Sequence, residues 1–265
     1  LGGFFFIANP NHNLLSLSTP RGIMSNFKGF STRAVGIFSF LASTSLVFAN
    51  PAQAVSIDLG SFTRVGDVEF TGNQANISTA SSTAQDDFPQ GAGAFNYSGN
   101  NPVAAGGAIE TAVGLNPGGL DNPADPFFGA AFEGSAITTN LNVRQGDRLS
   151  FDWNFLTNDT FDDYAFFVAN GVITTLANVN DASNSSSTNF NSETGARTFN
   201  YTFANAGNYQ VGIGVVDIGD FSSTSALQIS NAQTEPVPEP LTIFGTAVAG
   251  GFGVMLRRKR SKNQA

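Results

Sequence analysis

The sequence predicts an all-β fold: an antiparallel, jelly-roll-like β-sandwich, flanked by an N-terminal signal helix and a short C-terminal membrane helix. Three observations predict it. Between residues 55 and 235 apolar residues recur at period two, and no segment shows convincing helical periodicity. Gly/Asn turn signals such as Asn170-Gly171 and Asn205-Ala206-Gly207-Asn208 separate the short runs. The 265-residue chain also carries 26 Phe, and so much aromatic volume without helices has to fill a sheet-on-sheet core.

The elements follow in order. From Val55 to about Gly134 the chain is rich in Gly, Ala, Asn and Pro, with one short strand signal at Asp67-Val68-Glu69-Phe70. The remainder of that half reads as surface loop covering a face of the sandwich, with Asn116-Pro117-Gly118-Gly119 as a turn. From Ser135 the alternation strengthens. Ile137, Thr139, Leu141 and Val143 share one face, and Gln145-Gly146-Asp147 turns the chain. Leu149, Phe151, Trp153 and Phe155 then make the clearest strand, with Ser150, Asp152 and Asn154 opposite. Tyr164 to Val168 is apolar on both faces and reads as central; Asn170-Gly171 makes a hairpin into Val172–Leu176. A Ser/Asn-rich loop spans 178–195. Phe199, Tyr201 and Phe203 alternate, then Tyr209, Val211, Ile213 and Val215, and a last strand lies near Ala226–Ile229.

Charge narrows the function classes. Residues 55–235 hold four arginines, no lysine, and 19 Asp and Glu, a net of −15 that the whole-chain value of −8 conceals. Such a surface repels phosphate backbones, so no nucleic-acid partner is expected; it suits divalent cations or a hydrated polysaccharide matrix. There is no cysteine, and the one histidine is His12. Residues 55–235 therefore offer no imidazole for a triad or a metal and no thiol nucleophile. Carboxylate-pair chemistry is what remains for an enzyme.

Asn158-Asp159-Thr160-Phe161-Asp162-Asp163 is the densest cluster of oxygen ligands, in a loop between two strands. Asp217-Ile218-Gly219-Asp220 ends another strand that can reach the same edge. Two readings fit. One is a solvated loop whose Asp and Asn side chains satisfy turn backbone. The other is a structural calcium site at Asp159, Asp162, Asp163, Asp217 and Asp220, since calcium takes oxygens from loops. The ligand order of an EF-hand is absent. Asp86-Asp87 and Asp121/Asp125 repeat the signal more weakly. Asp152 stands beside Trp153, but Trp153 shares its face with Phe151 and Phe155 and reads as core. Glu110, Glu133 and Glu193 are the acids a glycoside hydrolase could recruit, and no spacing pairs them.

Both ends read as addresses. From Met24, basic residues (Lys28, Arg33) precede an apolar run to Phe48 and a small-x-small site, Ala52-Gln53-Ala54. This is the three-part pattern of a signal peptide over 24–54, with cleavage after Ala54. Residues 1–23 then read as an upstream extension. At the other end Pro236, Pro238 and Pro240 form a stiff spacer before the 16-residue uncharged run Leu241–Leu256. As a helix that run spans roughly 24 Å, short for a bilayer. Arg257, Arg258, Lys259 and Arg260 follow and would stay cytoplasmic.

Val237-Pro238-Glu239-Pro240, the apolar run 241–256 and the basic cluster resemble the PEP-CTERM sorting signal of bacterial exported proteins. The resemblance covers residues 236–265. It implies Pro238, Glu239 and Pro240 as the recognised residues, the export translocon and an exosortase-type processing enzyme as partners, and a Gram-negative or cyanobacterial source. It also implies a precursor held in the inner membrane by its C-terminal segment and then delivered to the outer surface or extracellular polysaccharide. More loosely, residues 135–232 are similar to uncharacterised β-sandwich domains carried by such proteins, which brings no activity. The resulting expectation is a non-enzymatic surface or biofilm-matrix protein active in adhesion or weak carbohydrate binding. The alternatives are a carboxylate-dependent polysaccharide-modifying enzyme and a passive matrix protein without ligand.

Overall fold

The computed structural model describes residues 53–122 and 129–237. The signal peptide up to Ala52, the sorting residues Pro238, Glu239, Pro240, Arg257, Arg258, Lys259 and Arg260, and the segment 241–256 lie outside the described residues. Among those described, no helix is long and apolar enough to cross a membrane.

The described chain is mostly strand. The first half gives β1 (Val55–Ser56), β2 (Thr63–Val65), β3 (Asp67–Thr71), β4 (Gln74–Ser78), β5 (Val103–Ala104) and one helix, α1 (Ala108–Val113). The second half gives β6 (Ala131–Val143), β7 (Arg148–Thr157), β8 (Tyr164–Ala169), β9 (Val172–Asn178), β10 (Asn184–Ser185) and β11 (Ser192–Glu193). It ends with β12 (Arg197–Thr202), β13 (Gly207–Ile218) and β14 (Ser225–Glu235).

These strands make two antiparallel sheets. The first runs β10-β11-β7-β14-β4-β3, with β1 also on β14 and β12 on β7. The second runs β2-β6-β13-β8-β9, with β5 on β6. The period-two pattern sorts side chains to the two faces. Leu149, Phe151, Trp153 and Phe155 of the first sheet pack against Ile137, Phe167, Val211, Ile213 and Val215 of the second. Trp153 is core, as its spacing requires. Neighbours on the same strands point outward: Phe166, Val168 and Val216 face Ile109, Val113 and Leu120 on the far side of the second sheet. Tyr164 to Ala169 is buried throughout because both of its faces are covered, and β8 lies between β13 and β9. The Asn170-Gly171 turn has both residues at positive φ, 47° and 77°, the geometry that joins twisted strands most tightly.

Four expectations need correction. The first half is more than loop: β4 sits inside the first sheet, between β3 and β14. The absence of helix fails at α1, whose six residues lie over the second sheet. Its close approach depends on Gly212, where a Cβ would meet the Val113 Cβ at 2.7 Å. The loop 178–195 contains β10 and β11, and β11 continues the edge of β7 beyond β12. The last strand also extends past Ile229 to Glu235, through an irregularity between Ser230 and Gln233.

Candidate metal centre

Three strand ends converge at one pole. β7 ends at Thr157, and the Thr157 Oγ1 accepts the Asp159 N–H at 2.8 Å. The Asp159 Oδ1 in turn accepts the Thr160 and Phe161 N–H groups, which fixes the carboxylate in its loop. Asp163 immediately precedes β8. β8 and β13 pair with Val216 opposite Tyr164, so the next step along that ladder sets Asp217 beside Asp163. The Ile218 N–H donates to Asp163 Oδ1 at 2.8 Å and locks the pair.

One oxygen on each of the three carboxylates has no hydrogen-bond partner: Asp159 Oδ2, Asp163 Oδ2 and Asp217 Oδ1. The residues are 8%, 0% and 1% exposed. The cluster's candidate ligand oxygens all lie within 4.8 Å of one another. Two oxygens on one calcium, each at about 2.5 Å, stand at most about 5 Å apart, so the spread fits a single ion. An all-carboxylate donor set is hard, which suits calcium or magnesium over softer metals. Leaving a buried acceptor unmade costs about 1–3 kcal/mol, more for a charge, and here three of them share one space.

Electrostatics point the same way. Burial raises the pKa of Asp163 well above the usual carboxylate range, against the Ile218 N–H and the Ser225 hydroxyl that favour its charged form, and Asp159 and Asp220 add like charge. Asp217 is raised first by burial and then by Asp163, Asp159, Asp220 and Glu133. Asp159 is also raised, by burial ahead of its acidic neighbours and against the two N–H bonds it accepts. Without a positive charge, the cluster must hold protons to stay neutral.

Of the five acids named from sequence, the structure thus brings together Asp159, Asp163 and Asp217, and Asp162 and Asp220 stand apart. Asp162 is exposed beside the inward-facing Asp163, and its Oδ2 accepts from Asn122 Nδ2 at 3.3 Å. Asp220 sits past Gly219 and turns to accept the Ser222 N–H and Oγ–H at 2.7 and 2.8 Å. It acts on the cluster only through its charge.

Two further acids do more than their local spacing implies. Asp87 accepts from the Thr224 N–H, the Thr224 hydroxyl and Asn158 Nδ2, tying the start of β14 to the Asp159 loop. Glu133 lies across from Asp217 in the β6–β13 ladder and is pushed up to about 7, by burial and then by Asp86. Neither role follows from local spacing, since both partners lie far away in sequence.

The remaining acids are spread over separate elements. Glu110 accepts the Gly106, Gly107 and Gly118 N–H groups and holds the start of α1. Glu193, on β11, accepts from Asn154 and Ser186. Asp121 accepts the Ala131 N–H, and Asp125 lies outside the described residues. Asp152 is held at lowered pKa by the Thr198 hydroxyl and then the Asn231 amide, on the wet face of β7.

No protein-family model matches this chain, and no curated protein matches it. The functional reading therefore rests on the residues themselves.

Proposed function

We propose that this chain is an exported, non-enzymatic surface or matrix protein, whose jelly-roll-like β-sandwich holds a structural calcium ion at its acidic pole and serves in adhesion or weak carbohydrate binding. One observation carries the metal: three buried carboxylates present unpartnered oxygens to one small space. The ion would be held by Asp159, Asp163 and Asp217. It would join the β7–β8 loop to β8 and β13, replacing protons as the neutralising charge.

Export is supported by the sequence of the two ends, with the translocon and an exosortase-type enzyme as the partners that the sorting pattern implies. β1 begins at Val55, the residue expected after signal cleavage. Adhesion is supported by the surface around the pole. Phe88, Phe132, Phe161 and Phe221 are exposed, and each is adjacent in sequence to an acid or lies between acids of this end. Phe132 and Phe221 lie together, ring centroids 6.3 Å apart, and contiguous exposed apolar groups mark contact surfaces.

The test is calorimetric titration of the chelator-treated exported protein with calcium. We expect one site per chain, with proton release on binding. Absence of heat and of any calcium-dependent rise in melting temperature would sink the metal. Recovery of the untrimmed chain from the cytoplasm would sink the export.

A further inference from the structure

Beside the loop that carries Asn158, the outer face of the first sheet carries a cleft. Its volume is about 180 Å³, the share of about six water molecules, and it lies between the loops 94–97 and 188–190, above Gln228 of β14. Phe95 and Phe190 form its aromatic wall, with ring centroids 4.9 Å apart and planes tilted by 51°. Both rings are buried against Leu156 and Ala226, so this wall is rigid. Tyr97 closes one side. Its hydroxyl pKa is pushed up to about 12, by burial and then by Asp67 and Glu69, so it remains a neutral donor and acceptor.

The polar groups of the cleft are unused. Among the described residues, the Tyr97 hydroxyl and the carboxamides of Asn189 and Gln228 have no hydrogen-bond partner. The cross-strand neighbours of Gln228 are already engaged: Asn154 on β7 donates to Glu193 and accepts from Thr194, and Asn76 on β4 is buried and accepts from Gln74. Directly opposed residues share a face, so Gln228 is the accessible amide of this position, with Asn76 buried beside it and Glu69 of β3 beyond.

No charged residue lines the cleft, in a domain of net charge −15. An anionic ligand would meet the repulsion of the whole domain, and a cation would be drawn to the pole instead. A purely apolar ligand would leave the amides and the phenol unsatisfied. The ligand chemistry that matches is a ring with C–H-rich faces and a rim of hydroxyls. We propose that this cleft binds one neutral pyranose unit of an extracellular polysaccharide. The sugar face lies on Phe95 and Phe190, and its hydroxyls are held by Tyr97, Asn189 and Gln228. This rests on the adhesion reading given above and is independent of the calcium ion.

The test titrates the exported protein with a panel of neutral oligosaccharides (gluco-, manno-, galacto- and xylo-) and with an alginate oligomer, each in calcium and in chelator. Millimolar-range binding of at least one neutral oligosaccharide is expected, with no binding of alginate. Gln228→Ala and Asn189→Ala, both at solvent-accessible positions, should each weaken it about fivefold to tenfold. Tyr97→Phe, which keeps the ring, should weaken it by a similar factor. Silence across the neutral panel, equal binding of alginate, or unchanged affinity in all three variants would overturn the proposal. Sugar binding without calcium binding would remove the metal and leave the cleft; calcium binding without sugar binding would do the reverse.

Discussion

Asp67 and Asp163 are both fully buried, yet they sit in opposite surroundings. The Asp67 carboxylate accepts from the Ser78 hydroxyl, from the Tyr97 and Ser98 N–H groups, and from the Ser98 hydroxyl. The Asp163 carboxylate has the Ile218 N–H on one oxygen, no close hydrogen bond on the other and only the Ser225 hydroxyl as a further nearby donor, with two more carboxylates beside it. Burial is the same and the donor supply is not. Asp67 fastens the 96–98 loop to the β3–β4 hairpin and needs no further partner. Asp163 and its neighbours are short of positive charge. Buried carboxylates are thus separated into clamp and site by counting donors, not by exposure.

The strongest way to break this contrast is to neutralise each residue in turn. Asp67→Ala leaves several buried donors unpaired, and should cost about 3–5 kcal/mol of unfolding free energy, the same in calcium and in chelator. Asp163→Asn keeps an acceptor for Ile218 and should change stability by less than about 1 kcal/mol in chelator. In calcium it should forfeit the ligand-linked gain, about 4 kcal/mol when free calcium is a thousandfold above Kd. For a domain of this size that gain corresponds to roughly 8–16 °C in melting temperature. Denaturant unfolding under both conditions checks the pair. A calcium-dependent loss at Asp67, or none at Asp163, would collapse the distinction.

A second test uses pH. The carboxyls of Asp159, Asp163 and Asp217 all have raised folded-state pKa values, caused first by burial. Between the unfolded value, about 3.9, and those raised values, the folded chain binds more protons than the unfolded one. Stability in chelator is therefore fully present near pH 4 and falls as pH rises towards and past neutrality. Calcium requires the deprotonated form, so its contribution should grow over the same range. Melting curves from pH 4 to 9 should diverge with and without calcium. Parallel curves would show that the cluster does not exchange protons for metal.

The contrast also explains what could be read from the sequence. The longer strands β6 to β9 and β12 to β14 announced themselves because each puts an apolar face on a common core, whereas the two-residue β10 and β11 carry no period. β4 did not, since Gln74-Ala75-Asn76-Ile77-Ser78 has only two apolar residues, Ala75 and Ile77, among polar neighbours of which Asn76 and Ser78 are themselves buried. α1 is too short to display a period, and what holds it is a pair of glycine-floored approaches far away in sequence, Gly212 of β13 under Val113 and Gly134 of β6 under Ile109. The acids of the site were visible as a cluster. Their sorting was not, because it depends on register between β8 and β13 and on which residue of an adjacent pair faces inward. The cleft was hidden for the same reason: Phe95 and Phe190 belong to loops without periodicity, and only the sheet beneath brings them together.

The smallest effect is the most discriminating one. Asp162 and Asp163 are adjacent acids in the same loop, and sequence alone gives no reason to prefer either. In the structure Asp163 is enclosed, whereas Asp162 is exposed and meets Asn122 at the surface. An exposed charge that is screened by water contributes little to a buried ion. Asp162→Asn should therefore leave calcium affinity within about twofold, because the lost interaction is well under 1 kcal/mol. Asp220→Asn should act in the intermediate range, since Asp220 raises the pKa of all three cluster carboxyls without joining them. Removing its charge eases their deprotonation and also removes attraction for the cation. The two effects oppose, so affinity at neutral pH should shift less than fivefold while proton release on binding falls. Titrations in buffers of different ionisation enthalpy read that proton count directly. An Asp162→Asn loss as large as that of Asp163→Asn would mean that the loop turns its other face to the ion.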